Sequence, residues 1–167
     1  MKMENILLTA FIGTSSEILL RQITKYETLF LPNDKIRDSE ILLENITKRQ
    51  FDYVFCFGQK PIIKDKVSIE CTGKDGIGCI ETSFDCNELK RAFELHGIAT
   101  KVSSNAGTSF CNQLYVNSLR YISKCDMKTK IVFIHIPFLK NISDTSSFLE
   151  KLLILLKHFC FNSLYIC

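Results

Sequence analysis

Two runs in this chain, Tyr53-Val54-Phe55-Cys56-Phe57 and Ile131-Val132-Phe133-Ile134, are apolar at every position and rich in β-branched and aromatic residues. A strand half-exposed to water alternates apolar with polar; one that does not alternate must be covered on both faces. Amphipathic patterns at helical spacing surround these runs. The sequence predicts a strand at 5–11, a helix through Ile18, Leu19, Leu20 and Ile23, and an extended piece at 28–31 closed by Pro32. It further predicts a helix at 36–48, a strand at 53–57 stopped by Gly58, and a loop from 59 to 79 interrupted by a short strand at 67–70. A helix capped by Asp85 or Asn87 then runs to Gly97, followed by a strand at 99–103, a helix at 109–123, a strand at 131–136 and a helix at 145–161 with Asp144 as N-cap. Strands that alternate with helices imply an α/β fold, a three-layer αβα sandwich around a central, mainly parallel twisted sheet.

Composition narrows the class. The 167 residues, 46% hydrophobic and 23% charged, suit one globular domain over 1–167. The most apolar stretch, Leu152-Leu153-Ile154-Leu155-Leu156, is bracketed by Lys151, Lys157 and His158, far short of the ~20 residues needed to span a bilayer. No membrane role is expected. The N-terminus shows no leader-like apolar core with a cleavage site, so the expected location is cytoplasmic. A net charge of +3, with no dense basic stripe and no interleaved aromatics, argues against nucleic acid. The eight cysteines include no pair at CxxC spacing, and a chain of this size needs no disulfide scaffold. They read as buried small hydrophobes, and neither a metal nor a cofactor is expected.

One cysteine differs. In Ser104-Asn105-Ala106-Gly107-Thr108-Ser109-Phe110-Cys111-Asn112, Cys111 falls in the first turn of a predicted helix, where unpaired N–H groups and the helix dipole favour thiolate. A cysteine nucleophile needs a proton acceptor oriented by a third group. His135, near the end of an apolar strand, and Glu70, at the end of a short one, are the candidates. Open α/β sheets place ligands at the carboxyl ends of their strands, where these residues could converge.

The same segments resemble the pyroglutamyl peptidase I family, the pyrrolidone-carboxylate peptidases. Leu7-Leu8-Thr9-Ala10-Phe11 is similar to the family's opening strand, and Ser68-Ile69-Glu70 to the segment bearing its catalytic glutamate. The stretch from His96-Gly97-Ile98-Ala99 to Asn112 resembles its Ala-Gly-Thr-x-x-Cys-Asn nucleophile region. Phe133-Ile134-His135-Ile136-Pro137-Phe138-Leu139 resembles its histidine segment. The resemblance implies a cysteine omega-peptidase that removes N-terminal pyroglutamate from peptides through an acyl-enzyme. Cys111 would be nucleophile, His135 base and then acid, and Glu70 the orienting group. Phe11, Gln59 and Phe110 would contact substrate. N-terminally pyroglutamylated peptides become the expected partners, and self-association into a homo-oligomer an open expectation.

The chain departs from the family at three places. Thr14 stands where a second pocket phenylalanine is usual, Cys71 stands where an arginine follows the glutamate, and the long insertion between Gly73 and Glu81 is lacking. These departures leave a second reading open: a divergent member with lost or altered catalysis, acting as a binding or regulatory protein or on a different small amide.

Overall fold

The computed structural model describes residues 5–161. Residues 1–4, on which the reading of the N-terminus rests, and Cys167 lie outside the described residues. The chain runs β1 (Ile6–Phe11), α1 (Ser15–Leu20), β2 (Glu27–Leu31), α2 (Arg37–Lys48), β3 (Tyr53–Lys60), β4 (Lys66–Glu70), β5 (Thr72–Lys74) and β6 (Cys79–Glu81). It continues with α3 (Cys86–Leu95), β7 (Ala99–Ser103), α4 (Phe110–Lys124), β8 (Lys130–Pro137), a 3-10 turn (Leu139–Asn141) and α5 (Thr145–Phe161).

Six strands form one sheet in the order β2-β1-β3-β8-β4-β7. The pairs β1–β2, β1–β3, β3–β8 and β4–β7 are parallel, and β4 meets β8 antiparallel. Because side chains alternate along a strand, each strand serves both faces. Leu8, Ala10, Phe55, Phe57, Val132, Ile134, Val67 and Ile69 join one core cluster with residues of α1, α3 and α5. Leu7, Val54, Cys56, Ile131 and Phe133 join the other with residues of α2 and α4. The mainly parallel sheet thus lies between two helical layers. Among the described residues, no helix is long and apolar enough to cross a membrane.

Three expectations change. The helix expected through Ile23 ends at Leu20. Gly58 does not end β3, which continues to Lys60 because β8 extends alongside it, pairing Gly58 with His135 and Lys60 with Pro137. The 59–79 region holds, besides β4, the first strand and the start of the second of an antiparallel hairpin, β5–β6. Three-residue strands separated by a turn carry too little periodicity to be read from sequence. Tertiary contacts hold this hairpin on α4. Asn112 pairs with the Lys74 backbone through both ends of its amide, accepting from N–H at 3.0 Å and donating to C=O at 2.6 Å. A β-carbon on Gly73 would stand 2.9 Å from the Val116 backbone, so the strand rests directly on the helix. Arg120 donates to both carboxylate oxygens of Asp75 at 2.8 and 2.7 Å, and holds that carboxyl down at about 2.

Candidate active site

Strand alternation gathers the polar residues of the sheet centre on the α2/α4 face. In β8, His135 follows Phe133 by two residues; in β3, Gly58 and Lys60 follow Cys56 in the same phase. In β4, Val67 and Ile69 face the opposite layer, which leaves Ser68 and Glu70 on the side of His135. The antiparallel register sets Ser68 opposite His135 and Glu70 opposite Phe133. Glu70 therefore reaches His135 along the diagonal, a separation a long side chain spans. The carboxyl end of β4 points the other way from that of β8, so the two residues meet across a strand pair and do not share a common carboxyl edge.

Glu70 Oε1 lies 2.8 Å from His135 Nδ1 and also accepts from Ser68 Oγ at 2.9 Å and Lys60 Nζ at 3.4 Å. Glu70 is 0% exposed. Burial raises its proton affinity, but hydrogen bonds from His135 and Ser103, with the charges of His135 and Lys60, outweigh it and hold the carboxyl below its usual value. The Glu70 backbone carbonyl accepts from the buried Tyr115 hydroxyl at 2.7 Å. That bond fixes the height of α4 on the sheet, because Tyr115 and Cys111 are one helical turn apart on one face.

Cys111 is the second residue of α4, whose N-cap Ser109 makes no side-chain capping bond. Its sulfur lies over the backbone of Gly58, 2.8 Å from where a β-carbon would be. Gly58 is the β3 partner of His135, their strands about 4.8 Å apart, so the thiol sits over the strand position next to the one that carries the imidazole, on the same face. The sequence reading expects a lowered thiol pKa from the helix N-terminus. The structure reverses that. Burial pushes Cys111 up to about 11, the charges of Asp38 and Glu70 add to it, and hydrogen bonds from Ser109 and from its own backbone N–H only partly oppose it. Desolvation of the anion outweighs the first-turn amides in this resting state.

The remaining candidates divide. Phe11, buried at the end of β1, has its ring centroid 6.5 Å from that of Phe133 and lies in the cluster of Cys111. Gln59 points elsewhere in its immediate bonding: its Oε1 accepts from Ser15 N–H at 2.7 Å, tying β3 to α1. Phe110 is 37% exposed at the start of α4. Thr14 is the N-cap of α1, donating to the Phe11 carbonyl at 2.6 Å and accepting from Glu17 N–H at 3.3 Å. It is a capping residue that closes the β1–α1 turn.

Sequence reasoning missed Ser68, Lys60, Tyr115 and Asp38. For Ser68 the signal was available, since it stands two residues from Glu70 along β4; Lys60 follows the chosen Gln59 directly and so lies on the other face of its strand. Asp38 is fully buried in the first turn of α2. Its Oδ1 accepts from Ser39 Oγ at 3.0 Å, its Oδ2 has no hydrogen-bond partner, and burial pushes it up to about 6. Among the described residues, no group of three or more His, Cys, Asp or Glu is arranged to hold a metal ion.

Known proteins share this fold and part of this sequence. The family model for pyroglutamyl peptidase matches residues 64–148, the half of the chain that carries Glu70, Cys111 and His135. A pyrrolidone-carboxylate peptidase of Alkaliphilus oremlandii is 26% identical over 146 residues, covering 74% of this chain and 68% of that protein. One from Bacillus subtilis is 28% identical over 121 residues, covering 60% of this chain and 56% of its own length. One from Bacillus cereus is 32% identical over 66 residues, covering 40% of this chain and 31% of its own length. Matched stretches therefore span about a third to two thirds of these relatives. In overall fold the chain is similar to pyroglutamyl peptidase I of Bacillus amyloliquefaciens, with a TM-score of 0.80 at 20% identity over 96% of this chain and 97% of that one. It is also similar to the pyrrolidone carboxyl peptidase of Fervidobacterium islandicum, with a TM-score of 0.83 at 17% identity over 93% and 97%. By the match over residues 64–148, the chain belongs to the pyroglutamyl peptidase family.

Proposed function

We propose that the protein is a cysteine peptidase that removes N-terminal pyroglutamate from peptides, with Cys111, His135 and Glu70 as its catalytic group. The observation that carries this reading is the buried Glu70–His135 pair, 2.8 Å apart, with the Cys111 sulfur seated on the strand residue next to His135.

Glu70 on Nδ1 fixes the ring and leaves Nε2 as the working nitrogen. A thiol held near 11 is neutral at pH 7, so the proton must leave as the bond forms. Nε2 accepts it while Sγ attacks the pyroglutamyl carbonyl carbon, and the carbonyl π pair moves onto oxygen. The uncapped first-turn amides of α4 are the donors available to that oxyanion. Collapse of the tetrahedral adduct expels the amine, which takes the proton back from Nε2. Water, deprotonated by the same nitrogen, then hydrolyses the thioester to pyroglutamate and regenerates the thiol. Phe11, in the buried cluster of Cys111, and the exposed Phe110, next to Cys111 in sequence, are the apolar groups assigned to the flat lactam.

A second reading, a binding protein on the same fold, draws on the raised Cys111 thiol and on the short β5–β6 hairpin. Incubating purified protein with a chromogenic pyroglutamyl amide, beside a Cys111→Ala control, separates the two. The peptidase reading expects turnover lost in the control; no turnover by either protein, with pyroglutamyl peptide still bound, supports the second.

A further inference from the structure

Lys60 is the last residue of β3, in the same strand phase as Gly58 and therefore on the site face of the sheet. Its ammonium lies 3.4 Å from Glu70 Oε1, the oxygen that also bonds His135 Nδ1 at 2.8 Å. Because both distances meet at one atom, the ammonium stands within about 6 Å of the imidazole. Its side chain is 29% exposed while that of Glu70 is 0% exposed, so the cation reaches inward from the rim to a fully dehydrated carboxylate.

We propose that Lys60 is a positioning residue for this site, sharing the Glu70 carboxylate with His135 so that proton uptake by the imidazole is less favoured than it would be beside Glu70 alone. This rests on the peptidase reading given above. A buried carboxylate facing one imidazole alone forms a closed ion pair, and the histidine then keeps its proton. A second cation on the same oxygen supplies that carboxylate with a permanent counter-charge and repels an imidazolium at the neighbouring position. The consequence is chemical: a histidine already protonated cannot accept the Cys111 proton, and Cys111 with its raised thiol depends on that acceptor.

The other groups facing the imidazole do not duplicate this effect. From β4 come Glu70 and the neutral Ser68; from α4, the Cys111 thiol and Tyr115, whose hydroxyl is spent on the Glu70 carbonyl. From α2, the carboxyl of Asp38 acts on Cys111 and carries the opposite sign to Lys60. On its own strand His135 touches the Phe133 ring, with centroids 5.0 Å apart. Lys60 is the cation set on this carboxylate beside His135.

The test is NMR titration of the His135 ring, assigned with a His135→Gln variant, in wild type, Lys60→Met, Lys60→Gln and Lys60→Arg. Loss of the charge is expected to raise the His135 pKa by about 0.5–1 unit, the size of a partly screened charge at this distance, and Lys60→Arg to restore it. If the protein turns over pyroglutamyl amides, the acid limb of kcat/KM moves up by the same amount with KM little changed. An unmoved or lowered His135 titration in both folded neutral variants overturns the proposal. The NMR result stands whether or not turnover is found, so failure of the peptidase reading and failure of the Lys60 role are seen separately.

Discussion

The sulfur of Cys111 occupies the space that a β-carbon on Gly58 would need: the two would stand 2.8 Å apart, with Phe133 Cε1 equally close on the other side. Phe133 is wholly buried and has nowhere to retreat, so an added methyl must displace the thiol or part the strands. Gly58→Ala is expected to cost about 1–3 kcal/mol of stability by overpacking. It is also expected to lower kcat/KM by roughly 100-fold, because a nucleophile shifted by about 1 Å loses its alignment. Thermal denaturation and steady-state kinetics check the two effects, and wild-type values in both would contradict the placement of the sulfur.

Thr14 invites replacement by the phenylalanine of the family pattern, and the structure argues against that exchange. Its hydroxyl closes the β1–α1 turn through Phe11 and caps α1 at Glu17. Thr14→Phe is expected to destabilise the protein by about 1–2 kcal/mol, the worth of a lost N-cap, without raising kcat/KM. Urea denaturation beside turnover measures both. A gain in kcat/KM at unchanged stability would restore Thr14 to the pocket.

Asn112 acts as a clip between α4 and the 72–81 hairpin. Asn112→Ala removes two hydrogen bonds to the Lys74 backbone, groups that water can partly recover because Lys74 is exposed. The expected cost is about 1–2 kcal/mol. Hydrogen exchange should quicken in the hairpin while β1, β3 and β8 keep their protection. Uniform quickening across the sheet would show that the hairpin does not open as a separate unit.

Asp38 makes stability fall as pH rises. Its folded-state pKa is raised from 3.8 to about 6, so the buried acid is fully tolerated below pH 3.8 and its contribution is lost as pH passes through 6. The ionised form then carries a penalty of about 2–3 kcal/mol. Asp38→Asn, which does not ionise, is therefore expected to gain on wild type by that amount between pH 4 and pH 8. Removing the charge also lowers the Cys111 pKa, so the variant should alkylate faster with iodoacetamide at pH 8. A stability difference independent of pH would refute the assignment.

Much of this fold was legible because burial on both faces leaves a strong mark. The apolar runs of β3 and β8, the Asp85 and Asp144 caps and the β-branched strand β7 all stand where sequence patterns put them. The β5–β6 hairpin was not legible, since its order comes from Asn112, Arg120 and the bare backbone of Gly73 against Val116, contacts made 38 to 45 residues away. Glu70, Cys111 and His135 could be singled out by residue type and setting. Their electrostatics could not, because the thiol depends on dehydration and on two carboxylates from distant segments. Asp38 carried no signal at all: an aspartate in the first turn of a helix is ordinary, and only packing shows that this one is sealed from water.

The central claim is that Cys111 carries the acyl group, and trapping the acyl-enzyme tests it most directly. Protein mixed rapidly with an activated pyroglutamyl ester, quenched in acid and mapped by mass spectrometry should carry one pyroglutamyl group on the peptide containing Cys111. Cys111→Ala should carry none, and His135→Ala should acylate slowly and release the group more slowly still. Turnover that persists in Cys111→Ala, or a wild-type protein that never acquires the group on Cys111, would contradict the account.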